Sequence, residues 1–239
     1  MITQEQIIKF ANQRQTTEIN IIREYYQHLF LSYFYQQPQA SNIYFKGGTA
    51  LRLIYKSPRF SEDLDFSADV SQKEIEQSLT VTLANIEKEG IVINLQEATS
   101  TSGGYLASIL FQKDPGVEIR IEISLRGGFK KGELATINSD FVPSYTIFAL
   151  TQDQLVDQKI EALLVRKKAR DFYDLYFILR ANLLPPQKKG VLSQALIAIN
   201  QTDINFETEL KKFLPKSYWA IIRDFKTTLE REINRFIQE

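Results

Sequence analysis

Apolar residues change their period along this chain, and the changes mark its elements. Thr3 and Gln6 form a capping box that predicts a first helix. Ile21, Ile22, Tyr25, Leu29 and Tyr33 recur at helical spacing and predict a second from about Thr17 to Tyr35, with Pro38 beyond its end. Ile43–Lys46 fits a short strand, Thr49–Lys56 a helix and Asp63–Ser67 a strand. Ser71 and Glu74 open a further helix carrying Ile75, Leu79, Leu83 and Ile86, and Gly90 stands where a helix C-terminus favours glycine. Strands are then expected at Ile91–Leu95, Tyr105–Phe111, Val117–Leu125 and Thr146–Leu150, with Asp114-Pro115-Gly116 as a turn. From Thr151 onward the pattern is helical: to about Lys168, Ala169 to about Leu183 before Pro185-Pro186, then Leu192–Ile199, Phe206–Leu214 and Ser217–Ile237. The expected class is α/β (α+β), with a boundary between residues 1–150 and 151–239.

Composition narrows the chemistry. Of 239 residues, 44% are hydrophobic, enough for a core, and lysine plus arginine equals aspartate plus glutamate at 29 each. A strongly basic nucleic-acid binder is thereby excluded, but a local basic groove is not. Cysteine is absent, which rules out disulfides, zinc–thiolate sites and thiol nucleophiles. One histidine, His28, lies in a patterned helix and cannot by itself make a triad. No apolar run approaches the ~18 residues of a membrane span, and the first residues lack a signal-peptide pattern. A soluble cytoplasmic protein is expected.

Three constellations could carry chemistry. Asp63 and Asp65 alternate in a predicted strand, so they point the same way with Cα atoms ~6.5–7 Å apart, while Leu64 and Phe66 take the packed face. Such acids form either a solvated patch or a clamp for divalent cations, which in two-metal sites lie ~3.5–4 Å apart. The strand Val117–Leu125 likewise sets Val117, Ile119, Ile121 and Ile123 against Glu118, Arg120 and Glu122. Glu122, flanked by isoleucines, suits a third metal ligand better than Glu118 beside the Pro115-Gly116 turn. Upstream, Lys46-Gly47-Gly48-Thr49 joins strand to helix. A glycine turn admits a phosphate close to the backbone, and Thr49 can add its hydroxyl at a helix start. The spacing fits neither a Walker A loop nor the dinucleotide fingerprint, and a plain tight turn needs no ligand. Finally, Lys159, Arg166 and Arg170 can share a helix side, with Asp171 and Asp174 adjacent on the helix surface. This run forms either a solvated face with internal pairs, Arg170–Asp174 among them, or a phosphate contact through Lys159 and Arg166.

Together, Lys46-Gly47-Gly48-Thr49-Ala50-Leu51, the string Arg59-Phe60-Ser61-Glu62-Asp63-Leu64-Asp65-Phe66, and the later Lys159 with Arg170-Asp171-Phe172-Tyr173-Asp174-Leu175 resemble the AbiEii-type nucleotidyltransferases. These are toxins of bacterial abortive-infection and type IV toxin–antitoxin systems, within the polymerase-β-like superfamily. The resemblance runs from Ile43 to Leu179. It implies a minimal nucleotidyltransferase core with a mixed sheet and a helical C-terminal part. It implies Mg2+ or Mn2+ on Asp63, Asp65 and Glu122, where many relatives carry aspartate in place of Glu122. An NTP would lie on Lys46, Gly47, Gly48, Thr49, Ser61, Lys159 and Arg166, with Gly48 and Thr49 at the β- and γ-phosphates. A late aspartate, Asp171 or Asp174, would complete the catalytic set, and Asp157 is left unassigned. The implied reaction moves a nucleoside monophosphate to an acceptor hydroxyl, tRNA or another RNA being favoured, in phage defence and under control of a cognate antitoxin. Transfer to a protein hydroxyl and a catalytically silent nucleotide- or partner-binding module are the alternatives.

Overall fold

A computed structural model of the chain describes residues 1–126 and 132–238. The chain divides into two compact units, Met1–Lys56 with Phe60–Leu150, and Ser57–Arg59 with the residues from Thr151 onward.

The first unit is built on a seven-stranded mixed sheet in the order β3-β4-β5-β2-β1-β7-β6. Its strands are β1 (Ile43–Lys46), β2 (Leu64–Ala68), β3 (Ile93–Thr101), β4 (Gly104–Phe111), β5 (Val117–Ser124), β6 (Gly132–Ile137) and β7 (Tyr145–Leu150). Its helices are α1 (Gln4–Gln13), α2 (Glu18–Phe34), α3 (Gly47–Leu53) and α4 (Gln72–Lys88). Thr3 and Ser71 close the capping boxes of α1 and α4 as the sequence led us to expect. The centre of the sheet follows from alternation. On β5, Val117, Ile119, Ile121 and Ile123 are buried while Glu118, Arg120 and Glu122 are exposed. On β2, Leu64 and Phe66 are fully buried and Asp65 is half-buried. Each such aliphatic side chain contributes ~1.5–3 kcal/mol on burial, so a one-residue slip of either strand is strongly disfavoured.

That register places the site. β2 runs parallel to β5, pairing Asp65 with Glu122, and antiparallel to β1, pairing Asp65 with Lys46. Glu122 faces Leu106 on β4. Lys46, Asp65, Glu122 and Leu106 therefore form one row across four strands.

Two strands depart from expectation. β3 continues six residues beyond Leu95 and is exposed almost throughout, with a bulge between Leu95 and Glu97. β6 carries little apolar pattern. Both are edge strands, whose backbone pairing needs no buried face. In the helical unit, α5 (Gln152–Arg166) ends at Lys167 in left-handed conformation, φ 51°. α6 (Ala169–Arg180), α7 (Leu192–Asn200), α8 (Phe206–Leu210), α9 (Trp219–Arg223) and α10 (Phe225–Gln238) follow. The single helix expected over Ser217–Ile237 is broken at Asp224, whose carbonyl starts a new helix by accepting from the Thr228 amide. Tyr173 of α6, Phe206 and Phe225 pack ring against ring in this core. Among the described residues, no helix is long and apolar enough to cross a membrane.

Candidate active site

The first unit gathers its polar row into a cleft of about 330 Å³ lined by Lys46, Asp65, Tyr105, Glu122 and Arg126 among others. Asp65 and Glu122 stand on neighbouring parallel strands, a strand spacing of ~4.8 Å apart. Gly47 sits between β1 and α3 at φ +82°, a conformation that L side chains rarely adopt. A Cβ there would stand 2.0 Å from Oδ2 of Asp65. The glycine turn and the acidic strand are thus fitted to each other: the Asp65 carboxylate fills the space that Gly47 leaves. We expect Gly47→Ala to combine αL strain of ~1–2 kcal/mol with displacement of that carboxylate. Nucleotide transfer should fall by about a hundredfold or more, the effect of misplacing a reacting group by ~1 Å. Single-turnover rates beside a circular-dichroism melt would check this, and a near-normal rate would contradict it.

Other residues hold this arrangement from behind. Thr49 was expected to offer its hydroxyl to a phosphate. In the structure it is fully buried and its Oγ1 donates to the Asp63 carbonyl. It ties the start of α3 to the entry of β2, so its role is positional. Asp63 itself precedes the first residue of β2. Gln27 of α2, 1% exposed, donates through Nε2 to the carbonyls of Ser61 (3.0 Å) and Glu62 (3.1 Å), fixing the segment that leads into Asp63. Nothing local marked Gln27, although a glutamine on a buried helix face must find partners. Glu24, also on α2, accepts from Arg14 and Arg52. Burial alone would raise the Glu24 pKa, but the two guanidinium groups outweigh it and hold the carboxyl below the ordinary value. Arg52 lies over the Phe60 ring, 3.4 Å from its centroid. His28 is buried, its Nδ1 is 2.8 Å from the Tyr145 hydroxyl, and burial pushes its pKa down to about 4. It is neutral at pH 7 and packs as a core residue.

In the helical unit Asp174 is the centre of a buried cluster. Arg59 grips it with two hydrogen bonds, Nε to Oδ1 at 2.8 Å and Nη2 to Oδ2 at 2.9 Å, and Lys159 Nζ donates to Oδ2 at 2.7 Å. Burial would raise the Asp174 pKa; Arg59 and Lys159 reverse this and hold it below the usual aspartate value. The expected Arg170–Asp174 pair is replaced by these partners, because Asp174 points into the core and is 1% exposed. Asp171 accepts from Arg166 Nη2 at 2.6 Å and from the Lys168 amide, so it caps α6. Lys159 and Arg166, read as phosphate ligands, are thus bound to the two late aspartates within their own unit. Asp157 pairs with Lys188.

The donor set can be tested against a metal. Among the described residues no group of three His, Cys, Asp or Glu is drawn together to hold an ion, so the expected cage of Asp63, Asp65 and Glu122 is not preassembled. Two adjacent carboxylates remain, and they fit Mg2+ well. This hard ion takes one or two carboxylates, with substrate phosphates and water completing its shell. A larger cavity of about 690 Å³ elsewhere in the first unit, walled by Phe10, Tyr25, Tyr35 and Phe141 among others, has no lysine or arginine among its described lining residues and does not suit a polyphosphate.

A mixed sheet with acids paired across central parallel strands beside a glycine turn is the architecture of a nucleotidyltransferase core. Comparison with known proteins agrees. The family described as "Nucleotidyl transferase AbiEii toxin, Type IV TA system" matches residues 29–237, and the chain belongs to it. Among solved structures, JHP933 from Helicobacter pylori is similar at 19% identity and TM-score 0.66, over 93% of this chain and 94% of that one. MenT4, a nucleotidyltransferase toxin from Mycobacterium tuberculosis H37Rv, is similar at 15% identity and TM-score 0.66, over 100% of this chain and 90% of its own. At these identities the likeness is one of fold. No curated protein sequence matches the chain.

Proposed function

We propose that this chain is an active toxin enzyme that transfers a nucleoside monophosphate from an NTP to a hydroxyl of tRNA or another RNA. The observation that carries this reading is the register pair Asp65–Glu122, with the Asp65 carboxylate seated against the Gly47 turn. Asp65 and Glu122 would hold Mg2+ or Mn2+, with Asp63 the candidate third ligand. The ion supplies Lewis acidity at the α-phosphoryl oxygen and a more acidic acceptor hydroxyl. The chain's own groups do the positioning. Lys46 and the Gly47–Gly48 backbone receive the triphosphate, with Ser61 on the approach to β2. The acceptor oxygen attacks the α-phosphorus in line, its bond to the β-phosphate oxygen breaks, pyrophosphate departs, and the hydroxyl proton goes to water. Arg59, Lys159, Arg166, Asp171 and Asp174 are positioning residues of the helical unit. A cognate antitoxin is the expected partner, in keeping with the type IV family.

Purified protein with Mg2+, bulk bacterial tRNA and each α-labelled NTP in turn should label the tRNA, with one nucleotide preferred. Label appearing instead on extract proteins would move the acceptor to protein. No label on either would leave a silent binding module.

A further inference from the structure

The row across the sheet has a direction. The Gly47 turn lies at its β1 end, and the hairpin joining β3 to β4 lies at the other, beyond Glu122. In an in-line displacement the attacking and leaving oxygens sit on opposite sides of the phosphorus. If pyrophosphate leaves toward Gly47 and Gly48, the acceptor must enter from the β5–β4 side. What stands on that side bears on what the acceptor is.

Arg126 stands there, just past the end of β5. Its side chain lies against Gly103 in the β3–β4 turn, where a Cβ would come within 1.8 Å of the guanidinium Nε. The hairpin itself is pressed onto β5. The Leu125 amide donates to the Gly103 carbonyl at 2.9 Å, and a Cβ on Gly104 would meet the Ile123 carbonyl oxygen at 2.0 Å. Gly103 thus leaves the space in which the Arg126 side chain lies, and Gly104 lets the hairpin close onto the β5 backbone. Among the described residues Arg126 makes only long hydrogen bonds to serine hydroxyls, Nη2 to Ser102 and its amide to Ser124, each at 3.4 Å. Among the described residues no carboxylate forms an ion pair with it, although Asp65 and Glu122 line the same cleft. A permanently charged planar fork, exposed and without an acidic partner, is built to receive a phosphate.

We infer that Arg126, seated on the Gly103–Gly104 turn, binds a backbone phosphate of the incoming acceptor, and that the acceptor is therefore a nucleic-acid strand, not a protein side chain. The inference rests on the nucleotidyl-transfer reading above and names its acceptor side. Arg126 is a substrate-positioning residue: it fixes the strand whose hydroxyl attacks and takes no part in bond making.

The test uses the full chain, bulk bacterial tRNA and the preferred NTP. Arg126→Gln should raise the KM for tRNA about tenfold, the effect of one lost charge-assisted contact, with the KM for NTP within about twofold of normal. The slope of log affinity for fluorescent tRNA against log salt, measured without NTP, should become shallower by about 0.7–0.9. Arg126→Lys should recover part of the affinity. Gly103→Ala, which puts a methyl where the guanidinium lies, should reproduce the Arg126→Gln effect with Arg126 still present. An unchanged tRNA KM and salt slope in Arg126→Gln would overturn the acceptor assignment while leaving nucleotidyl transfer intact. Transfer to extract protein but not tRNA would do the same. Failure of the unsubstituted protein to transfer to anything would remove the underlying reading as well.

Discussion

Asp65→Asn is expected to reduce nucleotide transfer at least a thousandfold, about 4 kcal/mol of lost transition-state stabilisation, without unfolding the protein. Asparagine keeps the shape of the side chain that fills the space beside Gly47, so the glycine turn should stay in place. What it removes is a negative charge from a pair held a strand spacing apart by backbone register. A divalent cation held there would lose a hard anionic ligand, and with weaker hold on the cation the phosphoryl charge would lose its counterweight. Glu122→Gln should behave alike, and because the two acids act as one unit the double variant should be little worse than either single one. Asp65 is only half-buried, so the melting temperature should move little. A rate above a tenth of normal in Asp65→Asn would mean that this carboxylate is not at the reacting centre.

Asp174→Asn is expected to destabilise the helical unit by about 3–5 kcal/mol, because it strands Arg59 and Lys159 beside a buried neutral amide. The side chains of Arg59 and Asp174 are 3% and 1% exposed, so water cannot replace the lost partner. The chain's one tryptophan, Trp219, lies in this unit and bonds the Leu214 carbonyl, which makes its fluorescence a local reporter. The urea midpoint read there should fall by more than about 1 M, given m-values of ~1–3 kcal/mol/M. Lys188→Ala, which breaks an exposed pair with Asp157, should cost no more than about 1 kcal/mol. The Asp174 carboxyl titrates below the ordinary aspartate range, so its contribution is present at neutral pH and is lost as acid protonates it. The variant lacks that acid-dependent loss. An unchanged midpoint would show that the cluster does not hold this unit.

Residues whose role follows from alternation were legible in the sequence. Leu64 and Phe66 inward with Asp65 outward, and the isoleucines of β5 opposite Glu122, are consequences of a period of two on a half-covered sheet. The glycine pair before a helix and the acids that follow it also carried a family resemblance, and the family match now supports that. The edges of the sheet were hidden, since β3 and β6 pair through backbone and expose polar side chains. Partners distant in sequence were hidden too. Gln27 reaches Ser61 and Arg59 reaches Asp174 through folding alone. Asp174 did leave a trace: an acid among Phe172, Tyr173 and Leu175 on an apolar helix needs buried cations, but nothing in its neighbourhood names Arg59. Thr49 misled because a hydroxyl after two glycines suits a phosphate and a backbone carbonyl equally well. Arg126 and the Gly103–Gly104 turn escaped because their meaning depends on which end of the sheet each occupies.

Paired labels distinguish nucleotidyl transfer from every other fate of the NTP. The protein is incubated with Mg2+ and bulk tRNA, once with α-labelled and once with γ-labelled NTP. Nucleotidyl transfer predicts that α-label becomes attached to the RNA while γ-label leaves entirely in pyrophosphate. Attachment of γ-label, or of neither, would contradict it.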